Sequence, residues 1–499
     1  MLSTTTIVLL LAAYFAVLLL VAYFTSRNAN KETFFTGNRQ SPWFIVSFGM
    51  IGAALSAVTF VSIPGSVASK GFYTAQFFVG NMLGYLFITF VLIPLYYRMR
   101  LVSIYEYLNS RFGWFSYKTG SFYFIVSQSF GAGLRMLLAI KILQVLFGLE
   151  SSDTWWLAIV FLMLIFLYTY KAGIKTIVWT DLLQTSFLLL AALSIVVVIF
   201  SSLNISVAEA IDLGQERGYW KWIDTDPKSG SYIWKQILSG ILIAMAMMGL
   251  DQNMMQKSLT CKNVREAQKN TLVFSFSVAI AQILFLFLGM MLYLYADLNQ
   301  IGLPTKEVVQ NGITTTVTAT DKVLPYLTIN HFGLFAGAMF VLGTAAAAFS
   351  SVDSALTALT TSFSYDFLNL QKRKNANTLR IITHIGFSIL MVIIILIFQR
   401  SSDNVFDLIF KLAGYTYAPL LALFLVGIFT KIRLNDPLVP IACILAPALA
   451  WLLNQYLLTQ HSFDIGFLTI FTGCIITILL LLLSKLMPTF HVKNKTWTK

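Results

Sequence analysis

Stretches of about 20 apolar residues recur from one end of this chain to the other, each long enough at 1.5 Å per residue to cross ~30 Å of hydrocarbon as a helix. Thirteen such windows lie near residues 4–24, 42–64, 74–97, 116–148, 154–170, 174–202, 233–253, 270–297, 331–366, 378–399, 404–430, 437–458 and 465–487. They predict an all-α integral membrane protein that occupies residues 1–499 as a single domain. Composition agrees, since 58% of residues are hydrophobic and only 11% are charged, more apolar matter than a soluble core needs.

The formal net charge of +13 is sorted by side rather than gathered on one face, which argues for a lipid bilayer as partner and against nucleic acid. Alternate loops are basic. One set holds Arg27, Lys31, Arg39, Arg98, Arg100, Lys171, Lys175, Lys257, Lys262, Arg265, Lys372, Arg373, Lys431 and Arg433, while the other holds few cations, most of them mixed with acids. The positive-inside rule makes the first set cytoplasmic, with the N-terminus outside and the C-terminus inside, as an odd number of spans requires. The first apolar run has no basic residue ahead of it and reads as a retained span rather than a cleaved signal. The longer loops near 203–232 and 298–330 read as external linkers or as a cap over an outer vestibule. Cys261, Cys443 and Cys474 form no framework, the four histidines show no metal-site spacing, and no phosphate loop or nucleophile–base pair appears, so no enzyme and no bound cofactor is expected.

Polar residues at membrane depth are few, and an ionisable group there costs roughly 2.5–3.5 kcal/mol on insertion scales. The run from Ala347 to Ser354 places Ala347, Ser350, Ser351, Ser354 and Thr357 on one helical face with Asp353 on its flank. Such a stripe of oxygen ligands suits a small hard cation, while small residues also permit close helix packing. Gly49, Gly52, Ser56, Thr59 and Ser62 precede Pro64-Gly65, so that helix has poor support in its middle. A break there frees backbone oxygens, as in transporters with discontinuous helices. Arg135, near the centre of its span, either pairs with a buried acid or waits for an acidic substrate. Asp181 lies about two turns into its span and offers a second cation ligand. Asp251-Gln252 with Gln256-Lys257 reads as a solvated helix end, and Asp407 with Lys411 as a satisfied i, i+4 pair.

With these residues in place, the chain resembles the sodium:solute symporter family. The resemblance is carried by Phe34-Phe35-Thr36-Gly37-Asn38-Arg39, Ser56 to Phe60 with Pro64-Gly65, Ile93-Pro94, Ser103 to Leu108, Arg111-Phe112-Gly113, Trp179-Thr180-Asp181 with Gln184, Asp251-Gln252 with Gln256-Lys257, and the Ser350-Ser351 helix. It implies a leucine-transporter-type five-plus-five inverted repeat, about 42–202 and 233–430, with an extra helix at 4–24 and two at 437–487. It implies a main sodium site from the carbonyls of Gly52 and Leu55 on the broken helix, the carbonyl of Ala347, and the hydroxyls of Ser350 and Ser351. A second site found in some members falls on Asp181, Ser350, Asp353 and Ser354; Asp353 stands where serine is usual, which leaves one-ion coupling open. Arg135 resembles the arginine that meets a substrate carboxylate in sialic acid carriers, with Ser56, Thr59, Gln76 and Asn81 as further substrate residues. The apolar run Ala244 to Gly249 differs from the polar wall of sugar carriers. The expectation is a sodium-coupled importer of a small polar solute, carboxylated as in an acidic sugar, in a bacterial inner membrane. The alternatives are a neutral sugar, polyol or amino acid carrier, or a channel or sensor without coupled flux.

Overall fold

The computed structural model describes residues 3–487 except 28–30, 171–172, 311–312, 400–404 and 462. Backbone groups find no water in a bilayer core, and the chain satisfies them almost wholly within helices. In order these are α1 (Thr4–Ser26), α2 (Trp43–Ala54), α3 (Ala57–Gly65), α4 (Thr74–Arg98), α5 (Trp114–Phe147), α6 (Thr154–Thr169), α7 (Ile174–Leu203), α8 (Ile233–Gly249), α9 (Gln252–Ser258) and α10 (Val264–Leu298). A two-stranded antiparallel hairpin follows, β1 (Thr305–Gln310) with β2 (Ile313–Thr318). Then come α11 (Thr320–Asn330), α12 (Gly333–Phe367), α13 (Ala376–Phe398), α14 (Val405–Phe429), α15 (Asp436–His461) and α16 (Gly466–Ser484). Ten of the described helices are long and apolar enough to cross a membrane, and twelve if each of two bent pairs counts as one span; α6 is apolar but shorter. Every apolar window of the sequence coincides with one of these helices or pairs.

The two bends organise the interior. Between α2 and α3 the axis turns by 57°, with Leu55 and Ser56 outside helical geometry at the break. Glycines explain what packs there. A Cβ at Gly49 would lie 2.9 Å from the Asp181 side chain, and one at Gly52 would collide with Thr185, so only glycine lets α7 come this close. The Gly52 N–H in turn donates to Thr185 Oγ1 at 3.0 Å. Between α8 and α9 the bend is 69°, preceded by a wide π-turn over Met245–Gly249. Its freed carbonyls are taken up locally: Tyr96 donates to Gly249 O and Tyr105 to Leu250 O, both at 2.9 Å. Asp251 caps the onward helix by accepting from the Asn253 N–H at 2.8 Å.

The segments expected to be plain linkers are structured. Residues Val207–Glu216 form a helix opened by a Ser206/Glu209 capping box. Beyond it Trp220 and Trp222 pack on Phe72, while the Phe72 N–H donates to the Lys221 carbonyl. The 298–330 segment holds the hairpin and α11, whose Asp321 accepts from Ser62 of α3 at 2.6 Å. Both segments therefore pack at the far end of the broken helix.

Candidate functional site

The two broken helices and α5 line a cavity of about 100 Å³. Ser56 and Thr59 line it from the first break, Asn81 from α4, Arg135 and Gln128 from α5, and Asp251 and Asn253 from the second break. Ala244, Met247 and Met248 supply an apolar wall, as the sequence implied. Arg135 folds back along its helix beside Gly131 and is partly open to the cavity. Among the described residues no carboxylate comes within 4.0 Å of its guanidinium. Asp251, which lines the same cavity, is already bonded to the Tyr417 hydroxyl at 2.6 Å. Of the two fates open to Arg135 in the sequence, the geometry leaves it unpaired and facing the cavity.

One expected substrate residue is misplaced. Gln76 lies outside the cavity lining and is occupied elsewhere, its amide donating to Tyr73 O at 3.0 Å and Ser231 O at 3.2 Å and accepting from the Asp224 N–H. It anchors the 203–232 segment to α4. Asn81, one turn and a residue further on, does line the cavity, and its Oδ1 has no partner among the described residues.

The residues expected at a main sodium site come from elements in contact, since α12 packs against both α2 and α3. No backbone N–H among the described residues is recorded as donating to the carbonyls of Gly52 or Leu55 across the break. On α12 the Ser351 hydroxyl donates to Ala347 O and Ala348 O, both at 3.1 Å, which leaves its lone pairs free. Carbonyls and hydroxyls of this kind fit a hard monovalent ion.

The four residues expected at a second site also lie together, but in company the sequence did not anticipate. Ser350 donates to Asp181 Oδ1 at 2.6 Å. Asp353 accepts from Ser354 at 3.1 Å and from Tyr168 at 2.7 Å. Against Asp181 Oδ2 lies the Lys257 ammonium, 2.7 Å away, with both side chains 1% exposed. The reading of Asp251, Gln252, Gln256 and Lys257 as a solvated helix end is therefore wrong. Gln252 bonds Val102 O and the Ile104 N–H, and Gln256 bonds Phe35 O and Thr361, all in the interior. Lys257 follows Gln256 on a short helix with polar residues all round, so its burial was not legible from periodicity. Tyr168, next to Thr169 and Tyr170, and Gln128, between Ser127 and Ser129, were missed because uncharged polar residues among others of their kind carry no signal that sets them apart. The Asp407–Lys411 pair lies outside the described residues for the Asp407 side chain.

Broken helices around a polar cavity, carried in a bundle of apolar spans, define a membrane transporter whose ion and solute sites share one interior. The model of the sodium:solute symporter family matches residues 34–437, and the chain belongs to that family. It is similar to the sodium/sialic acid symporter of Aliivibrio fischeri, 24% identical over 432 residues covering 82% of this chain and 80% of that protein. The sodium/sialic acid symporter of Proteus mirabilis is 25% identical, covering 82% and 81%. A solved structure of a Na+-coupled sialic acid symporter, in a substrate-bound outward-open state, superposes with a TM-score of 0.79 over 97% of this chain and 98% of that one, at 21% identity. The chain is thus a sodium-coupled symporter of a small solute, and a transporter rather than an enzyme.

Proposed function

We propose that this symporter imports a carboxylated polar solute, an acidic sugar such as sialic acid, using sodium held between the first broken helix and α12. The observation that carries the substrate class is Arg135, a planar two-pronged donor that faces the cavity with no carboxylate among the described residues within ion-pair distance. A cation inside a largely apolar bundle is costly unless an anion meets it, and an anion that arrives with the substrate supplies one. The Ser56 and Thr59 hydroxyls and the Asn81 amide supply further polar contacts, and the Met247–Met248 wall disfavours a neutral sugar held by hydrogen bonds all round. Two relatives that match most of the chain are named for sodium and sialic acid, which supports the same reading.

The coupling ion takes the carbonyls of Gly52, Leu55 and Ala347 and the hydroxyls of Ser350 and Ser351. Sodium there stabilises the outward-open state, substrate closes the outer side, and the two repeats rock about the site. This reading includes the five-plus-five repeat with one helix ahead and two after, an external N-terminus and a bacterial inner membrane. Its test is a thermal-shift titration of the purified protein with sialic acid, its methyl ester, a neutral hexose and an aliphatic monocarboxylate, each with sodium or with choline. Stabilisation by the free acid in sodium, lost on esterification or on replacing sodium, is the expected result. Equal stabilisation by acid and ester would remove the carboxylate from the reading.

A further inference from the structure

We propose that the Lys257 ammonium is a built-in cation of the inner site, so that this symporter binds a single exchangeable sodium, the one at the broken helix. The inference rests on the main sodium site proposed above. Its ground is the buried cluster of Asp181, Lys257 and Asp353, in which the residues that the family resemblance offers to a second ion are already engaged.

Three observations converge. First, both oxygens of Asp181 are taken, Oδ1 by the Ser350 hydroxyl at 2.6 Å and Oδ2 by Lys257 Nζ at 2.7 Å. A sodium ion approaching Oδ2 has to displace a like charge that is 1% exposed and tethered to the chain. Second, both oxygens of Asp353 accept from hydroxyls, Tyr168 at 2.7 Å on one side and Ser354 at 3.1 Å on the other, so this carboxylate is solvated by the protein rather than left open. Third, the charges balance with one ion. Two carboxylates and one ammonium leave a single negative charge among buried side chains, whereas the ligands of the main site are neutral carbonyls and hydroxyls. Ser350 joins the two, because its oxygen belongs to the main site and its proton is given to Asp181. One sodium at the broken helix cancels the excess charge. A second would leave a buried positive charge with no partner, which low-dielectric surroundings penalise heavily.

Asp353 thus has a role that serine at this position does not. With Lys257 against Asp181, that pair is neutral, and the carboxylate of Asp353 restores the negative field that holds a sodium next door.

The experiment counts ions without transport or substrate. The purified full chain is titrated with sodium chloride against choline chloride at constant ionic strength, and bound radiosodium per protein is measured at equilibrium beside the sodium dependence of melting. Native protein is expected to bind one sodium. Lys257→Gln, which leaves both carboxylates uncompensated, is expected to bind two, and Lys257→Arg, which keeps the charge, to bind one. Two sodium ions on native protein, or one on Lys257→Gln, would overturn the proposal. No sodium binding to native protein would instead remove the main site on which it rests, a distinct failure. If Lys257→Gln does not accumulate in folded form, native protein and Lys257→Arg still decide it, since either one holding two ions refutes the inference.

Discussion

At the scale of single residues, Arg135 and the Ser350–Ser351 pair allow opposite expectations for stability and binding. Arg135 has no carboxylate partner within 4.0 Å among the described residues, so Arg135→Ala removes no ion pair. Its substrate-free melting should stay within about 1 kcal/mol of native, whereas breaking a buried pair costs about 3–5 kcal/mol. Affinity for an acidic sugar should fall roughly 10- to 100-fold, the worth of hydrogen bonds to a charged group, and Arg135→Lys should recover only part of it because the fork is lost. Melting curves and isothermal titration of the two variants check both halves. Ser350→Ala with Ser351→Ala removes two hydroxyl ligands from an ion with few others, and sodium-dependent stabilisation should weaken at least tenfold in midpoint concentration. Retained sodium affinity in that double variant would place the ion elsewhere.

Among the helices, the first break is held open by what packs behind it. Gly52 admits Thr185, and Gly52→Ala drives a methyl group into the Thr185 side chain and backbone. Overpacking of this kind costs typically about 1–3 kcal/mol, and because the strain falls on a residue whose carbonyl is proposed to hold the ion, sodium binding should suffer along with stability. Gly52→Ala paired with Thr185→Ala relieves the clash and should recover part of both losses, read as a double-mutant cycle in melting temperature. Failure of the second change to help would mean that α7 does not set the shape of the break. The glycines and Pro64 made a weak helix legible at 42–64 before any coordinates. Which helix fills the notch was not legible, because Thr185 and Asp181 are far away in sequence and their approach depends on the fold.

For the whole molecule, ion count and substrate charge together set the electrical signature of transport. One sodium carried with one monoanion moves no net charge, so uptake in vesicles should respond to the sodium gradient and be nearly insensitive to an imposed potential. A second sodium would add about 2.3 kcal/mol of driving force per 100 mV, and clear potential dependence of acidic-sugar uptake would show it. The number of apolar windows, the break near residue 55, the cation stripe on α12 and the depth of Arg135 were all determined by local sequence. Each follows from a short-range rule: span length, helix propensity, helical periodicity, or the cost of charge in hydrocarbon. Only the tertiary structure decided that Lys257 is buried on Asp181 rather than solvated, that Gln76 holds a loop and lies outside the cavity, and that Arg135 faces the cavity with no carboxylate partner among the described residues. The reason is physical: a charged or amide side chain reads alike whether its partner is water, a ligand or another part of the chain, and the choice among them is made by packing between segments that sequence order does not bring together.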